Sequence, residues 1–407
     1  MDDRDATAAG RPGIRSDGAR PHRPSGVRIR ASCRQGCAAE GSSVARQLTS
    51  VWPPLSPAVW GRRSRTTRPY PLADPSCRLF ARARHALSTG LAALGVGPGD
   101  RVLLPAWHHG SEVESVRATG ATWTFYEPGH GLGPDQAALD RLLGPDVRAL
   151  HLTHHLGFPQ DSATWRRWCD SRGLLLIEDA AQAWLATRDG VPVGSWGDLS
   201  VWCLYKTFGL PDGAALLTRD PVQAPSVRSG TGVVPLARRH AAWLAQRVPV
   251  ARREARAAAY DPIRDFETGT PSGPSRATQW LLPRVASADA SAVRRRNFQA
   301  YLDAVGHLVP APFDVLPEGA APFAFPVAVL DKASALGALR TEGISALNFW
   351  AVPHPSLPVA LFPRAAWLRR HLLALPVHQE LTPRTLRRLV AAARQLLAQA
   401  GTPAPSA

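Results

Sequence analysis

Apolar and polar positions follow helical and strand spacing in alternation from about Pro69 onward. Apolar residues at helical spacing predict a helix over Arg84–Leu94 that Gly95 ends, and the turn Gly97–Asp100 leads into a strand. The pattern predicts strands over Arg101–Leu104, Thr122–Tyr126, Val147–Thr153, Leu174–Ile177, Ser200–Leu204 and Ala214–Leu217. It predicts helices over Ser111–Thr119, Pro134–Leu143, Ala163–Ser171 and Pro235–Tyr260.

Strands that alternate with helices of this length indicate an α/β protein with a mostly parallel sheet covered on both faces. A second, smaller α/β unit is predicted after a loop over Pro262–Pro274. Its elements are a helix over Ala292–Val305, a strand over Phe323–Leu330, and helices over Ala333–Glu342 and Pro383–Gln399.

The length of 407 residues exceeds what one hydrophobic core usually organises, so we expect more than one domain. Residues 1–48 are rich in Arg, Ser, Gly and Pro without an apolar period, and we predict a disordered arm there. We expect a large domain over 49–260, followed by a linker and a small C-terminal domain over 261–407.

The net charge of +16 would indicate a polyanion partner if the basic residues were clustered, but they are scattered, so we expect no nucleic-acid partner. The sequence shows no apolar run of membrane-spanning length and no signal-peptide core, which favours a cytoplasmic protein without a membrane partner. Of the 48 basic residues other than histidine, Lys206 and Lys332 are the lysines. An arginine can replace lysine for surface charge but does not form an imine, so a retained lysine suggests chemistry.

Asp179 stands where a buried strand stops, and Lys206 follows a later strand. Pyridoxal phosphate (PLP) chemistry needs a lysine for a Schiff base, an acid for the pyridine nitrogen and amide donors for the phosphate. The first turn of the helix near Ala83 and Arg84 could supply those amides. The alternative is that Asp179 is a helix N-cap and Lys206 an ordinary solvated lysine.

A specific resemblance rests on the block Ile177–Ala183, the Gly197-Asp198 pair and Lys206. With the Pro-Gly-Asp turn at 98–100 and the stretch His154–Pro159, this block resembles the DegT/DnrJ/EryC1/StrS family of PLP-dependent aminotransferases over about residues 70–400. The resemblance implies the fold of PLP-dependent transferase fold type I, which is aspartate-aminotransferase-like.

The resemblance also implies roles for single residues. Lys206 would hold the cofactor as a Schiff base, Asp179 would contact the pyridine nitrogen and Gln182 would reach the 3-hydroxyl group. His109 occupies the place where the family stacks an aromatic ring on the cofactor, with a solvated loop histidine as the alternative.

The phosphate end of the implied site departs from the family pattern. Arg84 and His85 lie where family members present a pair of small residues to the phosphate. The family has a serine five residues before the lysine, and this chain has Val201 there. Ser200 and Cys203 are the two candidates to replace that serine.

The resemblance implies amino transfer from glutamate or glutamine to a keto-sugar, commonly nucleotide-linked, in a homodimer. The alternatives are a PLP lyase or dehydratase-like enzyme, amino transfer to a substrate that is not a sugar, and a catalytically degenerate homologue that binds a sugar nucleotide. We expect no metal site, because His151 and His155 share one face of a strand while His154 points away. Phe349, Trp350 and His354 fall where, by the resemblance, the family's small domain approaches the substrate, but we expect buried packing for them.

Overall fold

The computed structural model describes residues 46–249, 262–397, 401 and 403. All of these lie in one compact unit, residues 43–407. Nearly all of the predicted arm and the second part of the helix predicted over Pro235–Tyr260 lie outside the described residues.

The strands and helices of the described residues match most of the predicted elements to within a few residues. The strands are β1 (Thr49–Ser50), β2 (Arg78–Phe80), β3 (Arg101–Pro105), β4 (Thr122–Tyr126), β5 (Val147–Thr153), β6 (Leu175–Asp179), β7 (Thr187–Arg188), β8 (Val191–Pro192), β9 (Leu199–Cys203), β10 (Ala214–Thr218), β11 (Ala324–Ala328), β12 (Ile344–Ser345) and β13 (Leu372–Pro376). The helices are α1 (Ala83–Ala93), α2 (Ser111–Arg117), α3 (Gln136–Leu142), α4 (Ser162–Asp170), α5 (Leu204–Thr207), α6 (Val233–Ala245), α7 (Pro262–Phe266), α8 (Arg276–Val285), α9 (Asp289–Val305), α10 (Lys332–Thr341), α11 (Pro363–His371) and α12 (Pro383–Leu397).

A seven-stranded sheet in the order β2-β10-β9-β6-β5-β3-β4 forms the centre of the fold. β9, β6, β5, β3 and β4 pair in parallel, whereas β10 pairs antiparallel with both β9 and β2. The predicted α/β class with a mostly parallel sheet is therefore confirmed. Parallel strands end on one edge of the sheet, so the residues that follow β6 and β9 meet there.

The helix α1 packs closely on this sheet because it carries a glycine at the contact. A Cβ atom at Gly90 would lie 2.5 Å from Leu199 Cδ1, so a larger residue would push the helix away from β9. This close packing fixes the position of the helix relative to the sheet.

The elements α9 to α12, residues 289–397, form the C-terminal part of the chain and contribute to two small sheets. In these sheets β11 pairs antiparallel with β13, and the N-terminal strand β1 pairs in parallel with β12. The segment before β11 contacts the turn after β5, since Phe323 N donates to Leu156 O at 2.8 Å and Ala321 N donates to Gly157 O at 3.0 Å. Gly157 has φ +90°, and a Cβ atom there would lie 2.1 Å from Ala321 O. One hydrophobic cluster contains residues of both parts, from Val51 to Leu397.

Some elements differ from the prediction. The loop predicted over Pro262–Pro274 begins with the short helix α7, and α8, α11 and β13 were not predicted. α8 carries Pro283 inside the helix, and this residue type normally indicates a helix end. Among the described residues, none of the helices combines the length and the apolar composition that a membrane span requires.

Candidate active site

A cavity of about 660 Å³ opens at the carboxyl edge of the central sheet. It lies among the ends of β6 and β9, the first turn of α1, the start of α2, α7 and a segment of the C-terminal part, residues 347–352. Its lining includes the following charged and polar side chains: Arg82, Arg84, His109, Ser111, Glu112, Asp179, Gln182, Cys203, Tyr205, Lys206, Asp265 and Asn348.

Lys206 and Asp179 both line this cavity, as we predicted from their places after two strands. Asp179 is the last residue of β6, and Lys206 lies in α5, a single helical turn that begins directly after β9. The parallel pairing of Asp179 with Val201 brings the two strand ends side by side. One small molecule in this cavity could therefore contact both side chains.

Asp179 is buried, and its carboxylate is only partly paired. Its Oδ1 atom accepts a hydrogen bond from Ala181 N at 2.8 Å, and its Oδ2 atom lies 3.8 Å from His151 Nε2. Burial raises the pKa of Asp179, and the neighbouring His151 and Lys206 lower it by smaller amounts. Among the described residues His151 Nε2 has no hydrogen-bond partner. A cationic group in the cavity would therefore stabilise the ionised form of Asp179.

Gln182 and His109 line the cavity and are held by polar contacts. Gln182 Oε1 accepts a hydrogen bond from Leu156 N at 2.8 Å, so the NH₂ group is the remaining donor of the side chain. His109 Nδ1 lies 3.2 Å from Ser111 Oγ, and His109 Nε2 lies 3.3 Å from Asp265 Oδ2. These contacts fix the plane of the imidazole ring.

Arg84 also lines the cavity, at the start of α1, but its guanidinium turns to the segment that follows the undescribed residues 250–261. It donates to the carbonyl oxygens of Asp265 and Glu267 and lies 3.7 Å from Asp265 Oδ1. The first turn of α1 has no side-chain cap, so its amide groups and helix dipole favour an anion.

Two of the residues predicted to bind the phosphate, His85 and Ser200, do not line the cavity. His85 Nδ1 accepts a hydrogen bond from Ser272 N at 3.2 Å and is absent from the lining. Successive strand residues face opposite sides of a sheet, so Ser200 points away from the face on which Val201 and Cys203 line the cavity. Cys203 does line it, and burial raises the pKa of its thiol, which keeps the thiol neutral.

Glu112 is the principal polar residue of the cavity that the sequence interpretation missed. It lies in the first turn of α2, three residues after His109, and its Oε2 atom accepts a hydrogen bond from Gly110 N at 2.9 Å. Burial raises the pKa of Glu112, but the charges of neighbouring histidines, His109 above all, and a main-chain hydrogen bond together lower it below its ordinary value. Its place in the first turn of α2, where a carboxylate is usually solvated, gave no signal of a buried position.

The C-terminal part supplies one wall of the cavity through residues 347–352, and here Phe349 and Trp350 line the cavity as well as pack. Trp350 has φ +42°, a conformation that non-glycine residues rarely adopt. Its ring lies 5.2 Å from that of Trp107, and its carbonyl oxygen accepts a hydrogen bond from Arg369 at 2.7 Å. His354 instead bonds Glu114 Oε1 at 2.9 Å and does not line the cavity.

A metal site is not found in the part of the chain that the structure describes, where no group of three or more His, Cys, Asp or Glu side chains could hold a metal ion. His154 Nε2 lies 3.0 Å from Glu178 Oε2, and His155 Nε2 lies 3.1 Å from Trp107 O. The two side chains therefore serve different internal contacts.

Residues 77–236 match the model of the DegT/DnrJ/EryC1/StrS aminotransferase family. The matched segment is about two fifths of the chain, and over it the chain is similar to this family. Asp179 and Lys206 lie within the matched residues, as do α1, the start of α2 and the ends of β6 and β9, whereas α7 and residues 347–352 lie outside them. Aminotransferases of the DegT/DnrJ/EryC1/StrS family are PLP-dependent.

Curated relatives in the DegT/DnrJ/EryC1/StrS family are sugar aminotransferases. The chain is 36% identical over 148 residues to a dTDP-3-amino-3,4,6-trideoxy-alpha-D-glucose transaminase of Streptomyces venezuelae, covering 35% of this chain and 39% of that relative. It is 32% identical over 139 residues to a UDP-N-acetyl-3-dehydro-alpha-D-glucosamine 3-aminotransferase of Acidithiobacillus ferrooxidans, covering 33% of this chain and 38% of that relative. These alignments span about two fifths of the relatives' own lengths.

Solved structures extend the similarity over more of the chain. The S. venezuelae protein DesV, solved with a ketimine intermediate, has a TM-score of 0.59 and 26% identity, covering 78% of this chain and 84% of DesV. NtdA of Bacillus subtilis, solved with bound cofactor PMP, has a TM-score of 0.57 at 17% identity, covering 79% of this chain and 73% of NtdA. The predicted fold type I of PLP-dependent transferases is confirmed.

The residues of the cavity fit PLP. Asp179 Oδ2 can accept a hydrogen bond from a protonated ring nitrogen, Lys206 supplies the amine, and the first turn of α1 faces the same cavity with uncapped amides. The volume of about 660 Å³ is within the range of small-molecule sites.

Proposed function

We propose that this protein is a PLP-dependent aminotransferase that moves an amino group from glutamate or glutamine to a keto-sugar, commonly nucleotide-linked. The observation that carries the proposal is that Lys206 and the buried carboxylate of Asp179 line the same cavity. The sugar aminotransferases among the relatives support the class of acceptor.

Each residue of the site has a role in this proposal. When bound, PLP supplies a ring that accepts electrons from the carbon that loses its proton. Lys206 Nζ would hold the cofactor and would move a proton to and from the α-carbon of the donor. Asp179 would hold the proton on the ring nitrogen, and the first turn of α1 would bind the phosphate. His109 orients the ring by stacking, and Trp350 excludes water from the side of the C-terminal part.

The test is the visible absorption spectrum of the purified protein before and after borohydride reduction, with the reduced cofactor located by peptide mass spectrometry. We expect a visible band in the wild type, and reduction should attach the cofactor to Lys206. Lys206→Ala should lose both the band and the attachment. Lys332→Arg is the matched control, because it removes the other lysine of the chain and should retain both.

Absence of a band in the wild type, even with added PLP, would contradict the proposal and favour a catalytically degenerate homologue. If the band is present, glutamate and glutamine are added separately without an acceptor. The amino donor is the compound that removes the band, and keto-sugars are then tested for its return. A band that neither donor removes would favour the lyase alternative.

A further inference from the structure

Arg294, on α9 of the C-terminal part, has a buried guanidinium that binds neutral oxygen atoms. Its side chain is 2% exposed. Among the described residues, no carboxylate lies within 4.0 Å of its nitrogen atoms. Burial lowers the pKa of Arg294 to about 9, and the more distant Glu380 offsets only part of this effect. Burial of a cation without a carboxylate partner reduces the free energy of unfolding, which suggests that Arg294 has a functional role.

The bonds of Arg294 lead to the turn that carries Lys206. Arg294 Nη2 donates to Thr207 O at 2.7 Å, and Arg294 Nη1 donates to Pro322 O at 3.0 Å. Arg294 Nε donates to Gln379 Oε1 at 2.9 Å, and Gln379 Nε2 donates to the same Thr207 oxygen at 3.0 Å. Thr207 O thus accepts two hydrogen bonds, and both come from the C-terminal part of the chain.

The turn needs such support because α5 has four residues, and a single helical turn is not stable by itself. The carbonyl groups at a helix C-terminus lack partners within the helix, and a cation there also offsets the helix dipole. Arg294 supplies both the hydrogen bond and the positive charge, at the carbonyl of the residue directly after Lys206.

We propose that Arg294 is a positioning residue that fixes the direction of the Lys206 side chain by holding the α5 turn against the C-terminal part. Arg294 does not line the cavity, so it acts through the main chain rather than by contact with a ligand. The expected effect on PLP binding rests on the proposed function. The support of the α5 turn by Arg294 does not depend on that function.

Two variants test the role. Arg294→Met removes the donors while retaining an unbranched apolar side chain, and Gln379→Met removes one of the two donors to Thr207 O in a milder way. Arg388→Lys is the matched control, because Arg388 also donates to carbonyl oxygens, those of Glu342 and Gln47, away from the cavity.

The first measurement is hydrogen exchange of the full-length chain, read by mass spectrometry on the peptide that contains residues 204–208. We expect exchange of this peptide to accelerate at least about tenfold in Arg294→Met, and less in Gln379→Met, because local opening of the turn becomes easier. In Arg388→Lys it should stay at the wild-type rate. Equal protection in all four proteins would overturn the inference, whether or not PLP binds.

The second measurement is the fraction of added PLP that borohydride traps on Lys206. Arg294→Met should need about tenfold more PLP for half-maximal trapping, because a misdirected amine loses the benefit of orientation. Arg294→Lys should be intermediate, since one ammonium group cannot reach all four acceptors of Arg294 at once, the fourth being Phe323 O at 3.4 Å. Failure of the wild type to trap PLP would contradict the proposed function, whereas equal trapping in wild type and Arg294→Met would contradict the role of Arg294.

Discussion

At the scale of single residues, burial favours the neutral form of Asp179, whereas its proposed role requires the ionised form. Its position at the end of β6 buries the carboxylate, and burial raises its pKa. An ionised carboxylate in such a place is stable only if a cation joins it. The proposed partner is the protonated ring nitrogen of PLP, which has the opposite charge.

Asp179→Asn therefore tests the charge while keeping the shape of the side chain. We expect PLP still to attach to Lys206, because the amine is unchanged, while the rate of amino transfer falls at least about 100-fold. The measurement combines borohydride trapping with the steady-state rate on the substrates found above. An Asp179→Asn variant with wild-type kcat would show that the carboxylate only caps the following turn through Ala181 N.

Lys206 and Asp179 could be predicted from the sequence because each follows an apolar strand in a chain with two lysines. Glu112 could not, because a carboxylate in the first turn of a helix is usually a solvated group that favours the helix dipole. Of the two candidates to replace the family's serine, Cys203 lines the cavity and Ser200 does not, for a geometric reason. One residue of register along β9 decides whether a side chain faces α1 and the cavity or the other side of the sheet.

At the scale of elements, Glu178 connects β6 to the loop before β9. Its carboxylate accepts hydrogen bonds from the amides of Gly194, Trp196 and Gly197, and from Ser162 Oγ at 2.5 Å. His154 Nε2 lies 3.0 Å from the same group. Burial alone would raise the pKa of Glu178, but the hydrogen bonds from His154, Ser162 and the amides lower it below its ordinary value.

Because the pKa of Glu178 is lowered in the folded state, the ionised side chain stabilises the protein at pH values above the ordinary glutamate pKa of 4.5. We expect Glu178→Gln to reduce the free energy of unfolding by about 2–4 kcal/mol near pH 7. The difference from wild type should shrink as the pH falls through and below that value, because the wild-type carboxylate then takes up a proton. Urea unfolding at several pH values measures this, and a difference independent of pH would contradict the assignment.

The elements of the central sheet could be predicted because their apolar runs are long and bounded by turns. The elements that complete the site could not. The segment Ser200–Leu204 predicted one strand, whereas the strand ends at Cys203 and the chain turns into α5. That turn depends on Arg294 and Gln379, which lie about 90 and 170 residues further along the chain, so local propensity cannot indicate it.

At the scale of the whole molecule, the hydrophobic cluster that spans both parts predicts one cooperative unfolding transition. The cavity lies between elements of both parts, so a bound cofactor should stabilise that single transition. At PLP concentrations of about 100 times Kd, binding adds about 2.7 kcal/mol to the free energy of unfolding. We expect the Tm to rise by at least about 3 °C in the wild type and clearly less in Lys206→Ala, measured by calorimetry. Two separate transitions would show that the parts unfold independently.

The pairing of β1 with β12 has a consequence for synthesis of the protein. Thr49 lies opposite Ile344, so β1 cannot pair until β12, about 300 residues further along the chain, has been synthesised. While the ribosome builds the central sheet, this short N-terminal strand has no neighbour along its edge. The two small sheets, and with them the wall of the cavity at Trp350, can therefore be completed only after the residues up to Pro376 have been synthesised.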